Sequence, residues 1–190
     1  MQKKTLWFDL ETTGTDAAKH GIIQFAALVD VDGETVAQEN IFMAPHDGAV
    51  IEDAALQVSG ITRDAIAGFL SHDAAYQRIK SLLDRYCDKY DPQDKFYPAG
   101  YNVRFDLDFL QAMFKRVDRY GLGSYLNWRS IDPLPLLHMM DFSGRLSLPD
   151  YKLPTVCRHF GIDIDAHDAL SDIRATRELS QRLMSEVFSL

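Results

Sequence analysis

The sequence lacks several features that define specialised classes of protein. Its 190 residues include only two cysteines, Cys87 and Cys157, which stand far apart. A paired CxxC zinc or redox motif is therefore excluded, and we expect both to be ordinary reduced residues. No apolar run approaches the roughly 20 residues that span a bilayer, and too few apolar residues precede Asp9 for a signal peptide. We expect a cytoplasmic protein without membrane contact.

The chain also lacks an excess of positive charge. Lysine and arginine number 20 against 28 aspartates and glutamates, which gives a formal net charge of -8. This balance argues against a protein that coats nucleic acid through a broad basic surface, because such binding neutralises many phosphates. It is compatible with a protein that holds the end of a strand in a cleft, and part of the negative charge could belong to a metal site.

No internal repeat, low-complexity segment or Pro/Gly-rich linker interrupts the chain, so we predict a single domain over residues 1–190. Apolar runs bounded by turn residues predict five strands, over residues 4–10, 22–31, 35–44, 95–101 and 128–132. Asp32-Gly33 is a typical hairpin turn, which predicts that the first three strands form an antiparallel meander.

Helical periodicity follows the meander. Apolar residues at intervals of three and four predict an amphipathic helix over residues 73–90 and another with one apolar stripe, made of Phe109, Leu110, Met113, Phe114 and Val117. Further helices are predicted over residues 52–58, 133–140, 152–160 and 169–187. Strands followed by alternating strands and helices predict an α/β fold, with helices packed on a mixed five-stranded sheet.

Two carboxylates stand at the end of the first predicted strand, in the stretch LWFDLETTGTD that begins at residue 6. Residues two apart in a strand point to the same side, so Asp9 and Glu11 should project together. Like charges this close disfavour joint ionisation. A divalent cation would relieve the repulsion, because hard cations prefer carboxylate oxygens. A solvated acidic pair at a strand–turn junction is the ordinary alternative, and a DxE pair alone does not decide between the two.

The stretch YNVRFDLDFL, which begins at residue 101, adds a third carboxylate. Asp106 lies at the start of a predicted helix, where an acid also complements the helix dipole. Phe105 and Phe109 are four residues apart and mark the inward face. Asp106 lies at the edge of that face near the strand end, whereas Asp108 should turn away. Asn102 and Phe105 could also serve simply as a turn residue and a core residue.

The stretch HDALSD, residues 167–172, opens the last predicted helix. Asp172 should lie one turn inside the helix, Asp168 fits the N-cap position, and His167 should lie on the preceding loop. Each residue alone has an ordinary structural explanation. Together with the earlier acids they supply what two-metal phosphoryl chemistry needs, namely carboxylates to hold two divalent ions about 3.5–4 Å apart. A histidine, with an unperturbed pKa of about 6.5, can take a proton from water.

These three stretches resemble the motifs of the DnaQ-like, or DEDDh, 3'-to-5' exonucleases, and they come in the same order. The family motif DxETTG is matched by Asp9, Glu11, Thr12, Thr13 and Gly14, the motif NxxFD by Asn102, Phe105 and Asp106, and the motif HxAxxD by His167, Ala169 and Asp172. The histidine spacing fits the branch of the family that uses histidine rather than tyrosine. The resemblance implies a ribonuclease-H-like fold, with parallel strands after the meander, and one exonuclease domain over residues 1–190.

The resemblance also implies roles for the matched residues. Two divalent ions, Mg²⁺ or Mn²⁺, would be bound by Asp9, Glu11, Asp106 and Asp172. His167 would be the general base for the attacking water. The terminal nucleotide would lie along the backbone and side chains of Thr12, Thr13 and Gly14, and the position of the second nucleotide would be lined by Asn102 and Phe105. The implied reaction is hydrolysis of the last phosphodiester at a 3' end, with release of nucleoside 5'-monophosphates.

One loop departs from the proofreading members of the family, which often carry His-Gly-Ile-Thr after the third strand. Here the loop reads Ser59-Gly60-Ile61-Thr62, so Ile61 remains as an apolar wedge for the terminal base while the histidine is lost. The first motif reads E-T-T-G, in the style of the proofreading (epsilon) subunits of bacterial replicative DNA polymerases, whereas oligoribonucleases usually read E-M-T-G. Single-stranded DNA is therefore the favoured substrate, in proofreading or repair, and a DNA polymerase is a candidate partner.

Two alternatives stay open. An exonuclease of the same family could trim RNA 3' ends, because the partner of a 2'-hydroxyl cannot be placed from the sequence. The other alternative is a catalytically silent module that binds strand ends or a polymerase. Against it, all five catalytic positions carry the residue types of the family motifs. We expect a stand-alone exonuclease or a separate subunit, since 190 residues leave no room for a polymerase domain.

Overall fold

The computed structural model describes residues 2–117, 121–165 and 168–187, which form one sheet covered by helices. The strands are β1 (Lys4–Thr12), β2 (Ile22–Val31), β3 (Glu34–Phe42) and β4 (Phe96–Ala99). The helices are α1 (Asp53–Ser59), α2 (Arg63–Ile66), α3 (His72–Tyr86), α4 (Arg104–Val117), α5 (Pro133–Phe142), α6 (Leu153–Phe160) and α7 (Ala169–Val187), and a 3₁₀ turn covers Leu122–Ser124.

The sheet has the order β3-β2-β1-β4, so β1 is an interior strand. β1 and β2 are antiparallel, as are β2 and β3, whereas β4 runs parallel to β1. Asp32 and Gly33, between β2 and β3, both have positive φ angles, 54° and 90°, which matches the twist of a tight hairpin. The predicted meander and the mixed α/β sheet are therefore confirmed.

The prediction of a fifth strand over residues 128–132 is wrong. In the described part of the chain, this segment forms a single isolated parallel bridge with β4, between Ile131 and Ala99. The amide of Asn127 donates to the carbonyl of Phe96 (2.8 Å), and the amide of Ile131 donates to the carbonyl of Pro98 (2.9 Å). Pro98 itself has no N–H to donate between these two bonds, so a continuous ladder cannot form.

The interior strand β1 alternates between two packed faces. One set of its side chains joins the main core under α3 and α4, namely Leu6, Phe8 and Leu10. Trp7 points to the opposite face and belongs to the cluster that contains Ile173 of α7. Because Asp9 and Glu11 follow Trp7 at steps of two, they belong to the face that α7 covers.

A buried carboxylate fastens α7 to this face. Asp30 of β2 is 4% exposed, and it accepts hydrogen bonds from the Trp7 indole nitrogen (3.1 Å), the Thr35 hydroxyl (2.7 Å) and Arg177 Nε (2.7 Å). Arg177 also donates to the carbonyl of Gly33 in the hairpin turn (2.9 Å). Since a buried charge is tolerated only when it is paired and hydrogen-bonded, this network fixes the position of α7 along the sheet.

One helix ends well before the predicted residue, and one short helix was not predicted. α3 ends at Tyr86, four residues early, because the backbone of Cys87 is extended (φ -137°, ψ 124°). The ammonium group of Lys4 donates to the carbonyl of Tyr86 at 2.6 Å, which satisfies an acceptor that the helix end leaves open. The short α2 was not predicted, since four residues carry too little periodicity.

Both cysteines are buried and free of disulfide bonds. Burial raises the pKa of the Cys87 and Cys157 thiols to about 11, so both remain unreactive thiols near neutral pH. Across the described residues, no helix combines the length and apolarity needed to cross a bilayer.

We predict that Arg177→Gln destabilises the fold more than a matched change on the same helix. It leaves the buried Asp30 carboxylate without its charged partner, which should lower the free energy of unfolding by about 1–3 kcal/mol. Arg182→Gln, which removes an exposed pair with Glu178, should cost at most about 1 kcal/mol. Urea unfolding of both variants measures the difference, and equal losses would contradict the anchoring role of Arg177.

Candidate active site

Asp9 and Glu11 lie side by side, partly buried, on the α7 face of β1. Burial raises the pKa of Glu11 to about 7, and the charges of Asp172 and Asp168 add to this rise. Burial also raises the pKa of Asp9 well above its usual range, reinforced first by Asp106 and then by Asp172 and Glu11. The two strand acids therefore share one negatively charged site with acids from distant parts of the chain.

Asp106 is brought to this site by a bond to the central strand. It lies in the first turn of α4, is 4% exposed, and accepts a hydrogen bond from the Leu10 amide at 3.1 Å. Burial raises the pKa of Asp106 strongly, and this bond offsets only part of the rise. Asp108, by contrast, is exposed and pairs with Arg104, which confirms that it turns away.

Helix α7 supplies the third acidic segment. Asp172 lies in its first turn, next to Ile173, whose side chain packs with Trp7 of β1. Asp168 accepts a hydrogen bond from the Ser171 amide at 2.8 Å, as expected of an N-cap. His167, the predicted general base, lies outside the described residues, and its role stays a prediction.

The donor set of this site suits a hard divalent cation. Among the residues that the structure describes, no three histidine, cysteine, aspartate or glutamate side chains already form a closed ligand group. The carboxylates nevertheless stand close enough to raise one another's pKa, which makes a cation favourable among them. Carboxylate oxygens are the ligands that Mg²⁺ and Mn²⁺ prefer, so the residues present fit such ions.

The loop after β1 is held by its own threonines. The Thr13 hydroxyl donates to the Val50 carbonyl (2.6 Å) and accepts from the Gly21 amide (2.9 Å). Thr13 is fully buried, so its side chain stabilises the loop and does not face a nucleotide, in contrast to the sequence-based expectation. The Thr12 hydroxyl donates to the Gly14 carbonyl at 2.7 Å, which tightens the same turn.

The buried ring of His20 leaves room only for a glycine at position 14 of this loop. A Cβ atom at Gly14 would lie 2.4 Å from the His20 ring, so a larger residue does not fit there. His20 is 4% exposed, and its Nδ1 accepts from the Asp16 amide at 2.9 Å. Its Nε2 lies 3.1 Å from Glu52 Oε1. The ring forms the floor beneath the first motif.

The second motif contains a turn that Asp132 holds in place. Asn102 has a φ of 55°, in the left-handed region that asparagine tolerates better than most residues. The Asp132 carboxylate accepts from the amides of Asn102 (3.1 Å) and Val103 (3.1 Å) and caps α5 through the Leu134 amide (3.0 Å). Asn102 is exposed and Phe105 is partly buried, so both can be reached from solvent.

The loop predicted to touch the terminal base connects α1 and α2. Gly60 ends α1 with a φ of 69°, and the Thr62 side chain caps α2 by accepting from the Ala65 amide at 3.2 Å. Ile61, between them, is partly buried beside the cluster that contains Ile23 of β2. Its side chain is therefore held by the core while part of it stays accessible.

Three residues around the site were not recognised from the sequence in these roles. Asp132 precedes Pro133, and an acid before proline is a helix-start signal that could have found its capping bond. Asp168 is identified by the sequence only as an N-cap, whereas its charge also raises the pKa of Glu11. His20 gives no sequence signal, since its burial and its contact with Glu52 depend on the fold.

A family model described as RNase T, Exonuclease, matches residues 6–179, which include all three motifs. The chain belongs to this exonuclease family. The match confirms the resemblance to DnaQ-like exonucleases that the motifs indicated. Exonucleases of this kind use divalent metal ions.

Curated relatives of this exonuclease chain include two large polymerases. PolC-type DNA polymerase III of Halalkalibacterium halodurans is 26% identical over 182 residues, and that of Oceanobacillus iheyensis is 28% identical over 184 residues. The matches cover 94% and 95% of this chain but 11% of each polymerase. The chain thus spans about a tenth of the length of these relatives, so the similarity concerns one segment of each.

Solved structures of Exonuclease I have a similar fold. The E. coli enzyme in complex with a dT13 oligonucleotide gives a TM-score of 0.79 at 24% identity, covering 98% of this chain and 43% of that one. A product-bound structure of exonuclease I gives 0.72 at 25% identity, covering 100% and 46%. The zinc-bound form of the E. coli enzyme with single-stranded DNA gives 0.78 at 24% identity, covering 98% and 41%. These likenesses confirm the ribonuclease-H-like fold class.

We predict that Glu11→Gln stabilises the metal-free protein at alkaline pH. Folding raises the pKa of Glu11 from its ordinary value of 4.5 to about 7. Between these values the folded state binds more protons than the unfolded state, so stability falls as pH rises. The substitution removes this loss and should raise the free energy of unfolding at pH 8 by about 1–3 kcal/mol, with little effect at pH 4.

Chemical unfolding in the presence of a chelator, at several pH values, measures this effect. Glu34→Gln is the matched control, since Glu34 is exposed on the edge strand β3, and it should change stability by less than about 0.5 kcal/mol. If Glu11→Gln were no more stable than Glu34→Gln at pH 8, Glu11 would not stand among repelling carboxylates.

Proposed function

We propose that this chain is a metal-dependent 3'-to-5' exonuclease that hydrolyses the terminal phosphodiester of single-stranded DNA and releases nucleoside 5'-monophosphates. The proposal is carried by the gathering of acids from three distant segments at one end of the central strand, where burial and neighbouring charges raise the pKa values of Asp9, Glu11 and Asp106. Their repulsion opposes folding, and bound cations would offset it. Membership of the exonuclease family over residues 6–179 supports the same reaction class.

Two divalent ions, Mg²⁺ or Mn²⁺, would be held by Asp9, Glu11, Asp106 and Asp172. When bound, such ions stabilise the charge that develops on a phosphate and lower the pKa of a water molecule. The protein keeps Asp9 and Glu11 rigid on β1, fixes Asp106 through the Leu10 amide and carries Asp172 on the anchored α7. Because the pKa of Glu11 lies near 7, cation binding near neutral pH should release a proton.

His167 would act as the general base. It precedes Asp168 in the sequence, and Asp168 lies near enough to the site for its charge to raise the pKa of Glu11. An imidazole with an ordinary pKa of about 6.5 accepts a proton from water near neutral pH. The surrounding carboxylates would then stabilise the imidazolium ion.

The strand end would be positioned by three loops. The proposed contacts to the last two nucleotides come from Thr12, Thr13 and Gly14, from Ile61, and from Asn102 and Phe105. Thr13 would contribute through its backbone and by holding the loop, because its hydroxyl is already bonded on both sides. Ile61 would pack against the terminal base, and Asn102 and Phe105 would flank the next nucleotide.

Single-stranded DNA is favoured over RNA as the substrate. The relatives are DNA polymerases, and two of the three exonuclease I structures described above contain single-stranded DNA. The E-T-T-G form of the first motif agrees with this preference. A DNA polymerase as partner, a role in proofreading or repair and a cytoplasmic location belong to the same proposal.

We predict that Asp9→Ala and Asp172→Ala each abolish nucleotide release while the fold survives. Loss of a metal ligand removes several kcal/mol of charge stabilisation, so the rate should fall by about 10³-fold or more. Asp108→Asn is the matched control, because Asp108 lies two residues from Asp106 but pairs with the exposed Arg104. It should retain metal-dependent release from a labelled 3' end.

The assay compares single-stranded DNA, RNA and mismatched duplex, with Mg²⁺, Mn²⁺ or a chelator. Faster release from RNA than from matched DNA would identify an exoribonuclease instead. Tight binding without release in Mn²⁺ would identify a catalytically silent module. Full digestion of a 3'-ended strand by Asp9→Ala would refute the carboxylate site.

We predict that His167→Ala slows nucleotide release by about 10²–10⁴, the range for loss of a general base, and largely keeps cation binding. His159→Ala, at an exposed position on α6, is the control and should leave the rate unchanged. Calorimetric titration with Mn²⁺ measures the ions bound by each variant. Loss of both ions from His167→Ala would assign His167 to the metal site and not to proton transfer.

A further inference from the structure

An exposed tryptophan stands where the sheet loses its fifth strand. Because Pro98 cannot donate a hydrogen bond, the segment between Asn127 and Ile131 leaves β4. Trp128 lies in this segment and is 86% exposed. Exposing a large aromatic ring to water is unfavourable, so a ligand that covers the ring would be bound favourably.

The tryptophan is paired with a positive charge. The guanidinium carbon of Arg129 lies 5.3 Å from the centroid of the Trp128 ring, within the range of a cation–π interaction. This contact restrains both side chains and places a cation beside an accessible aromatic surface.

Trp128 forms one wall of a groove of about 730 Å³. Other polar residues along the groove include Lys95, Arg104, Asp108, Gln111 and Asn127. Lys95 and Arg104 outnumber Asp108, whereas the whole chain carries a net charge of -8. The pair between Arg104 and Asp108 is exposed and therefore weak, so the guanidinium can turn to another anion at little cost.

One end of the groove lies at the start of α4, close in the chain to the second motif. Arg104 is the first residue of α4, two positions before Asp106. The segment that carries Trp128 is tied to the same turn, since the Asp132 carboxylate accepts from the amide of Asn102. The Arg104 end of the groove therefore lies next to the turn that carries Asn102, the residue proposed to flank the second nucleotide.

We infer that this groove binds the single DNA strand upstream of its hydrolysed end, with a base stacked on Trp128 and phosphates beside Lys95, Arg104 and Arg129. The inference rests on the proposed function, because it takes the strand end to lie at the carboxylates. Aromatic surfaces flanked by basic residues bind single strands with little sequence preference, since every base has a π face. Such a contact would hold the strand in place between successive cleavages.

Tryptophan fluorescence gives a direct test that does not depend on activity. The chain has only two tryptophans, and Trp7 is 3% exposed. Titration of the full chain with a dT10 oligonucleotide, with chelator present, should quench the emission of Trp128, and Trp128→Phe should remove that quench. Trp128→Ala should weaken dT10 binding, measured by anisotropy of a 5'-labelled strand, by about 5- to 20-fold. Trp128→Ala should hydrolyse a dinucleotide, which is too short to reach the groove, at the wild-type rate.

Matched variants separate this site from general surface effects. Phe142 is 95% exposed on α5 and does not line the groove, so Phe142→Ala should change neither binding nor hydrolysis. Arg129→Gln should reduce the slope of log affinity against log salt by about 0.7, the value for one phosphate contact on a single strand. Arg158→Gln, at an exposed position on α6, should leave that slope unchanged.

The outcomes distinguish this inference from the proposed function. If Trp128→Ala binds dT10 as tightly as the wild-type chain does, the inference that the groove binds the strand is wrong. If the wild-type chain binds dT10 through Trp128 but releases no mononucleotide with Mg²⁺ or Mn²⁺, the groove stands and the exonuclease proposal fails. If the wild-type chain digests dT10 and Trp128→Ala does so with the same kcat and KM, the exonuclease stands and the groove fails.

Discussion

Repulsion among buried carboxylates is the constraint that organises this fold. Asp9, Glu11 and Asp106 have raised pKa values because they are buried and share their site with other acids. No attraction among the acids holds them together, so each must be fixed by its own element. β1 is an interior strand, Asp106 is bonded to the Leu10 amide, and α7 is fastened by the buried Asp30. The hydrophobic core and these polar anchors thus stabilise the fold against the repulsion among the acids.

The same division of roles extends to the loops around the site. Thr13 and His20 are buried, and their polar atoms form hydrogen bonds within their own loop and with Val50 of another loop. The Asp132 carboxylate likewise accepts hydrogen bonds from the turn at Asn102 and from the start of α5. A reaction that depends on placing a phosphate within a fraction of an ångström needs supports of this kind. The proposed substrate contacts can therefore be rigid although they lie on loops.

What could be predicted from the sequence depended on whether the signal was local. The Asp32-Gly33 turn and the alternating strands fixed the meander, and helical periodicity distinguished Asp106 from Asp108. Contacts between distant segments carried no such signal. The burial of Thr13 depends on Gly21 at the far end of its own loop and on Val50 in another loop. The missing fifth strand depends on how a distant segment meets Pro98, which has no N–H to donate.

The interruption at Pro98 also determines what the exposed segment can do. In a regular strand, successive side chains point to opposite faces of the sheet, so Trp128 and Arg129 could not lie on the same side. Outside the ladder they do, and the guanidinium packs over the indole ring. A complete fifth strand would therefore have removed the wall of the groove beside Arg104. The same departure from the ladder thus accounts both for the lost strand pairing and for the surface that we infer to bind a DNA strand.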